Sequence, residues 1–158
     1  IKRAGRLDRK IPFLYPQTVE EVETIVQAQL RKNRIGSELK LPEERALLEP
    51  IVGSSNADIE AIVLLAADYA AQRAFAASNP GADSDAPAPE APVNAEDLSR
   101  AARDYLPSRD TEMLEYMELL AVFEASNRRM LPKKYAELPL DQLQAQLQLL
   151  RARVGSRR

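Results

Sequence analysis

Apolar residues recur along this chain at intervals of three and four, which puts them on one side of a helix. Thr18, with Glu21 three positions on, makes a capping-box start, and Val22, Ile25, Val26 and Leu30 follow at helical spacing. That helix ends in the basic cluster Arg31, Lys32 and Arg34, before Gly36. A second helix is expected from Pro42 to about Val52, with proline in its first turn and Leu47, Leu48 and Ile51 on one side; Pro50 disturbs its last turn. Gly53 breaks the chain, and Ser55 with Asp58 repeats the capping-box pattern. Ile59, Ile62, Val63, Ala66, Ala70 and Phe75 then form a long stripe whose alanines predict close packing. Asn94 caps a helix over Ala95–Tyr105 that stops at Pro107, and Ser108 starts a long one carrying Met113, Leu114, Met117, Leu120, Ala121 and Phe123, closing near Leu131–Pro132.

The last segment repeats Leu140, Leu143, Leu147, Leu150 and Val154 in 3–4–3–4 spacing, a coiled-coil or helix-hairpin seam. Two heptads are too few for a stable free coil, so the seam must lie on its own domain or on a partner, and intramolecular packing is the favoured reading. The tail Gly155–Arg158 is basic and expected to fray. The one strand candidate is Lys10–Tyr15, and Pro12 makes it at best an edge strand. Few glycines and aromatics, with many Ala, Leu and Glu, agree with an all-α fold. Ser78–Pro92 reads as a linker, since its four prolines, small residues and three acids hold no packed core.

Charge and composition narrow the chemistry. Across 158 residues, 22 Lys+Arg meet 24 Asp+Glu for a net charge of −2, which argues against a general nucleic-acid binder. With no cysteine there is no disulfide framework, thiolate nucleophile or Cys-ligated metal. With no histidine there is no Ser–His–Asp triad and no HExxH zinc site, so no metal ligand set is proposed. No apolar run approaches the roughly 20 residues of a membrane span, and no signal peptide opens the sequence. These exclusions lead to an expectation of a cytoplasmic protein with no membrane contact.

The first sixteen residues are the most informative. Arg3-Ala4-Gly5-Arg6-Leu7-Asp8-Arg9-Lys10-Ile11 resembles the end of the second region of homology in AAA+ ATPases, R-x-G-R-F/L-D-R-x-I. In that family the two arginines reach the γ-phosphate of ATP bound to the neighbouring subunit, so the resemblance implies that Arg3 and Arg6 are arginine fingers. The chemistry agrees, because a planar guanidinium with five donors suits the charge on a transferring phosphoryl group. Downstream, Glu23-Thr24-Ile25-Val26-Gln27-Ala28-Gln29-Leu30 resembles the family's R/E-x-I-L-x-x-H segment, with Gln29 in the slot often held by an adenine-contacting His. Ser54-Ser55-Asn56-Ala57-Asp58-Ile59 resembles the S-G-A-D-I/L signature whose backbone lies near the nucleotide; Asn56 replaces the usual Gly, and Ala57 would share the contact. Val93-Asn94-Ala95-Glu96-Asp97-Leu98 resembles the opening of the fourth lid helix.

By this resemblance, residues 1–16 are the end of the AAA+ core with its arginine-finger segment, 17–106 a helical lid with a disordered insertion at about 78–93, and 107–158 an added C-terminal helical extension. The chain contains no G-x-x-x-x-G-K-[ST] loop and no apolar strand ending in an Asp-Glu pair, so the hydrolytic core is expected to lie before Ile1. ATP or ADP with Mg²⁺ would be the cofactor of the full-length parent, and this chain alone should hydrolyse nothing. The implied parent is a cytoplasmic, protein-remodelling ATPase that self-associates into a ring, often a hexamer, and acts on a protein substrate or adaptor. Two other readings compete: a free-standing helical interaction adaptor, and the lid of a nucleic-acid-linked AAA+ protein such as a loader or initiator, against which the charge leans. The cluster Arg128, Arg129, Lys133 and Lys134 more often complements a helix C-terminus than binds phosphate.

Overall fold

The computed structural model describes residues 10–78, 91–107 and 111–155, and it is all-α, with no strand among the described residues. Contacts divide the chain into two compact units, one over residues 16–107 and one joining residues 10–15 to 111–155.

In the unit spanning 16–107, α1 (Val19–Lys32) starts where Thr18 Oγ1 accepts from the Glu21 amide at 3.3 Å, and it buries Val22, Val26 and Leu30. α2 (Asn56–Ser78) follows Gly53, whose φ of 85° lies in the left-handed region glycine tolerates; its N–H donates to Pro16 O at 2.9 Å. Ile59, Ile62, Val63, Ala66 and Ala70 of α2 are buried, while Phe75 is only partly covered. α3 (Ala95–Asp104) starts at the expected Asn94 cap, which Asp97 completes into a capping box, and lays Leu98 and Ala101 on α2. The fully buried alanines of α2 and α3 allow the two backbones to approach.

The expected helix from Pro42 is a turn at residues 41–43, followed by a 3-10 helix, Arg45–Ile51. The Glu43 and Glu44 amides both donate to Lys40 O, closing a turn rather than starting an α-helix, and Pro50 has no N–H to continue one. Leu48 and Ile51 are nevertheless buried, and Arg45 ties the element to α1 through Glu20 at 2.9 Å and Glu23 at 3.2 Å. The strand expected at Lys10–Tyr15 is also absent, since Pro12 and Pro16 interrupt the donors a ladder needs. An isolated parallel bridge joins Ser37 and Val93 instead: Val93 N–H donates to Gly36 O and Glu38 N–H to Val93 O, both at 2.9 Å.

α1 ends in a Schellman motif, with Ile35 N–H donating to Leu30 O at 2.9 Å and Arg34 N–H to Arg31 O at 3.2 Å. The left-handed position that usually holds glycine is Arg34, at φ 56°. Arg34→Gly is therefore expected to raise stability by about 0.5–1 kcal/mol in urea melts, because glycine occupies that region without the Cβ penalty. A loss of stability would mean that the Arg34 side chain contributes more to folding than its backbone costs.

In the other unit, α4 (Thr111–Glu124) packs on α6 (Leu140–Gly155), with the short α5 (Lys133–Ala136) between them in sequence. Leu119, Val122, Leu143 and Leu150 form the core, with Leu147 against it, so the leucine seam is packed within the chain. Its first leucine, Leu140, stays exposed. Residues 10–15 belong here as well. Lys10 N–H donates to Ser126 Oγ at 3.0 Å, Ser126 N–H to Lys10 O at 3.2 Å, the Lys10 ammonium pairs with Glu124, and Leu14 joins the core.

Candidate functional site

The N-terminal turn of α2 brings together the most chemistry in the unit over 16–107. Ser55 and Asp58 form the capping box that their spacing predicts: Asp58 N–H donates to Ser55 Oγ at 3.1 Å, and Asp58 Oδ2 accepts from the Ser55 amide at 3.1 Å and its hydroxyl at 2.6 Å. The other carboxylate oxygen accepts from Tyr105 Oη at 2.6 Å, so the residue that ends α3 is tied to the start of α2 across 47 positions of sequence. Nothing local in the sequence marks this link, and reading Tyr105 as a helix end misses it.

These contacts set the titration of both groups. Burial pushes the Asp58 carboxyl up, but hydrogen bonds from the Ser55 hydroxyl, the Tyr105 hydroxyl and the Ser55 amide more than offset it and hold Asp58 below the usual carboxylate range. The hydrogen bond to Asp58, then burial, then the Asp58 charge raise the Tyr105 phenol. A carboxyl depressed in the folded state contributes stability that is present above its unfolded pKa, about 3.9, and lost as pH falls through the folded value. A phenol raised in the folded state contributes stability that is present below its unfolded pKa, about 10, and lost as pH rises through the folded value. Tyr105→Phe is expected to cost about 1 kcal/mol at pH 7, with a smaller deficit near pH 2 and a flatter alkaline limb. Urea melts across pH check this, and an unchanged pH profile would mean that the pair contributes no stability.

Asn56 and Ala57 lie exposed in the first turn of α2, where the helix presents amides lacking intrahelical partners. Gln29 is half-buried on α1, and its Oε1 is buried and accepts no hydrogen bond among the described residues. Lys32 Nζ reaches Glu60 Oε1 at 2.8 Å, joining the last turn of α1 to the first turns of α2. Gln29 sits one turn before Lys32 and Asn56 one turn before Glu60, so both lie within a turn of this contact. Arg3 and Arg6 lie outside the described residues, as does most of the proline-rich stretch from Ser78 to Pro92.

Further along α2, Arg73 clamps the start of α3. Its Nη2 donates to Asp97 Oδ2 and to Pro92 O, each at 2.9 Å, while Asp97 also completes the Asn94 capping box. Tyr69 Oη donates to Asp104 at 2.7 Å, and the Arg100 guanidinium lies 4.0 Å from the Tyr69 ring centre. Arg73 opposite Asp97, Tyr69 opposite Arg100, and Asp58 opposite Tyr105 make the pair antiparallel. Of the second basic cluster, Lys134 pairs with Glu118 at 3.1 Å and covers Tyr135, while Arg128 and Arg129 stay exposed.

No group of three His, Cys, Asp or Glu side chains that could hold a metal comes together among the described residues, and no helix there is long and apolar enough to cross a membrane. No family model matches the chain, and neither a curated protein nor a solved structure matches it.

Proposed function

We propose that this chain is the C-terminal part of an AAA+ ATPase that remodels protein substrates as a cytoplasmic ring, often a hexamer. Arg3 and Arg6 would act in trans on a neighbour's ATP, and residues 17–106 would be the lid that responds to nucleotide. The observation that carries the reading is the order along the sequence of four motif-like segments, at Arg3–Ile11, Glu23–Leu30, Ser54–Ile59 and Val93–Leu98.

Several features of the molecule support it. The S-x-A-D-like segment caps α2 and leaves Asn56 and Ala57 exposed, which suits a close approach to nucleotide. Gln29 offers a buried oxygen, without a partner among the described residues, near the same α1–α2 contact, which suits a hydrogen-bond donor such as an adenine amine. Bound ATP with Mg²⁺ would supply the phosphoryl group and its charge neutralisation. Gln29, Asn56 and Ala57 would contact the base side alone, with the phosphates gripped by a phosphate loop that these 158 residues do not contain. Lys10, four residues after Arg6 in sequence, is fastened to Ser126 and Glu124 at the end of α4, so the extension holds the segment that follows the arginines. Exposed Ile11, Phe13, Met117, Leu120 and Phe123 suit a chain that packs into a larger assembly.

The test is ATP hydrolysis by the full-length parent, with and without Arg6→Ala. A reading frame with no phosphate loop ahead of Ile1, or no ATPase activity, would favour the helical interaction adaptor. ATPase activity stimulated by DNA or RNA would favour the nucleic-acid-linked lid.

A further inference from the structure

The basic cluster that ends α1 divides in the structure. Lys32 turns to α2 and pairs with Glu60, whereas Arg31 and Arg34 turn to the other side and line a groove of about 390 Å³. One wall of that groove is the last two turns of α1, and the other is the chain returning over residues 35–42. Alternate residues of the returning segment, at 35, 37 and 39, face in, as an extended backbone dictates, and Leu41 and Pro42 of the turn that follows close the end. Leu30, Ile35, Leu39 and Leu41 make the floor aliphatic.

Arg31 and Arg34 are exposed, and neither side chain meets a carboxylate among the described residues, although other surface arginines here do: Arg45 holds Glu20 and Glu23, Arg73 holds Asp97, and Arg100 holds Asp104. Over residues 27–42 there are four cations and a single carboxylate, Glu38, at an alternate position that does not line the groove; the chain as a whole is acidic. Arg34 also holds its place at a left-handed φ that glycine would fill at lower cost. An aliphatic floor edged by two free guanidiniums complements a chain that carries both aliphatic side chains and carboxylates.

We propose that this groove docks an extended segment of a partner protein in which acidic and aliphatic residues alternate. Aliphatic side chains settle between Leu30 and Leu39, and the carboxylates, which alternate to the outward face, meet the exposed guanidiniums of Arg31 and Arg34 at the rim. Six residue steps from Ile35 to Leu41 span roughly 20 Å, the length of a peptide rather than of a compact ligand. Among the described residues no aromatic ring lines the groove, which leaves a nucleotide base nothing there to stack on. The proposal stands on this groove and does not depend on the ATPase reading.

The experiment uses the whole 158-residue chain. A fluorescein-labelled peptide of about eight residues alternating Glu or Asp with Leu is titrated by anisotropy, alongside its Gln/Asn counterpart and ATP, and binding is mapped by amide chemical shifts. The acidic peptide is expected to bind at least about tenfold more tightly than its uncharged counterpart, to weaken with added salt, and to shift residues 27–42. Arg31→Ala with Arg34→Ala should reduce its affinity about tenfold or more without loss of fold, since both side chains are exposed. Arg34→Gly should raise the melting temperature and weaken the peptide together, a combination that a purely structural role does not produce. Equal binding of the charged and uncharged peptides, affinity unchanged in the double variant, shifts elsewhere in the chain, or ATP and not the peptide moving Arg31, Arg34 and Leu39 would each overturn the proposal.

Discussion

On the ATPase reading proposed above, Arg6→Ala in the full-length parent is expected to cut ATP turnover by about a thousandfold or more while leaving ATP binding nearly intact. A thousandfold corresponds to about 4 kcal/mol of transition-state stabilisation, which a guanidinium delivers because it meets charge that develops only as the γ-phosphoryl group transfers. Ground-state nucleotide would be held mainly by the neighbour's own phosphate loop, so turnover should fall without a matching rise in KM. Arg6→Lys should restore little, since an ammonium lacks the planar pair of donors. Action in trans, as proposed, predicts a sharper readout. Subunits carrying Arg6→Ala, mixed with subunits whose phosphate loop is disabled, should recover part of the activity, because each supplies what its neighbour lacks. Normal turnover in Arg6→Ala would remove Arg6 from the mechanism.

Leu48→Ala is expected to destabilise the 16–107 unit by about 3 kcal/mol, through lost transfer energy and the cavity left behind. Leu48 is fully buried although it stands on a 3-10 helix, and that element packs against both α1 and α3. A unit of this size has a total stability of roughly 5–14 kcal/mol, so the single change takes a substantial share of it. Leu48→Met, which keeps the volume, should cost less than about 1.5 kcal/mol. Urea denaturation of both variants decides the matter. A loss below about 1 kcal/mol for Leu48→Ala would show that the 3-10 helix lies over the core without completing it.

Helix starts were legible in the sequence because capping is local. Thr18 with Glu21, Ser55 with Asp58, and Asn94 with Asp97 each place a side-chain acceptor within three residues of the amide it satisfies, and each cap forms. The stripes through Val22–Leu30 and Ile59–Ala70 were legible for a similar reason, since burial repeats with the helical period. The segment over residues 41–51 was not. Its prolines and leucines fit a first helical turn equally well, and the choice fell to Lys40 O, which accepts from both Glu43 and Glu44. For the candidate site, the sequence marks Asn56, Ala57, Gln29 and the arginines by motif order alone, and the structure describes the first three.

By itself the sequence determined an all-helical chain, its caps, its apolar faces and the absence of imidazole and thiol chemistry, all properties of residue type or of neighbours within a turn. Tertiary structure alone decided which charges meet. Asp58 finds Tyr105, Arg73 finds Asp97, Lys10 finds Ser126 and Glu124, and Lys32 leaves Arg31 and Arg34 to face a groove of their own. Those pairings join residues 24 to 116 positions apart, and chain folding, which no local spacing encodes, brings them within hydrogen-bond reach.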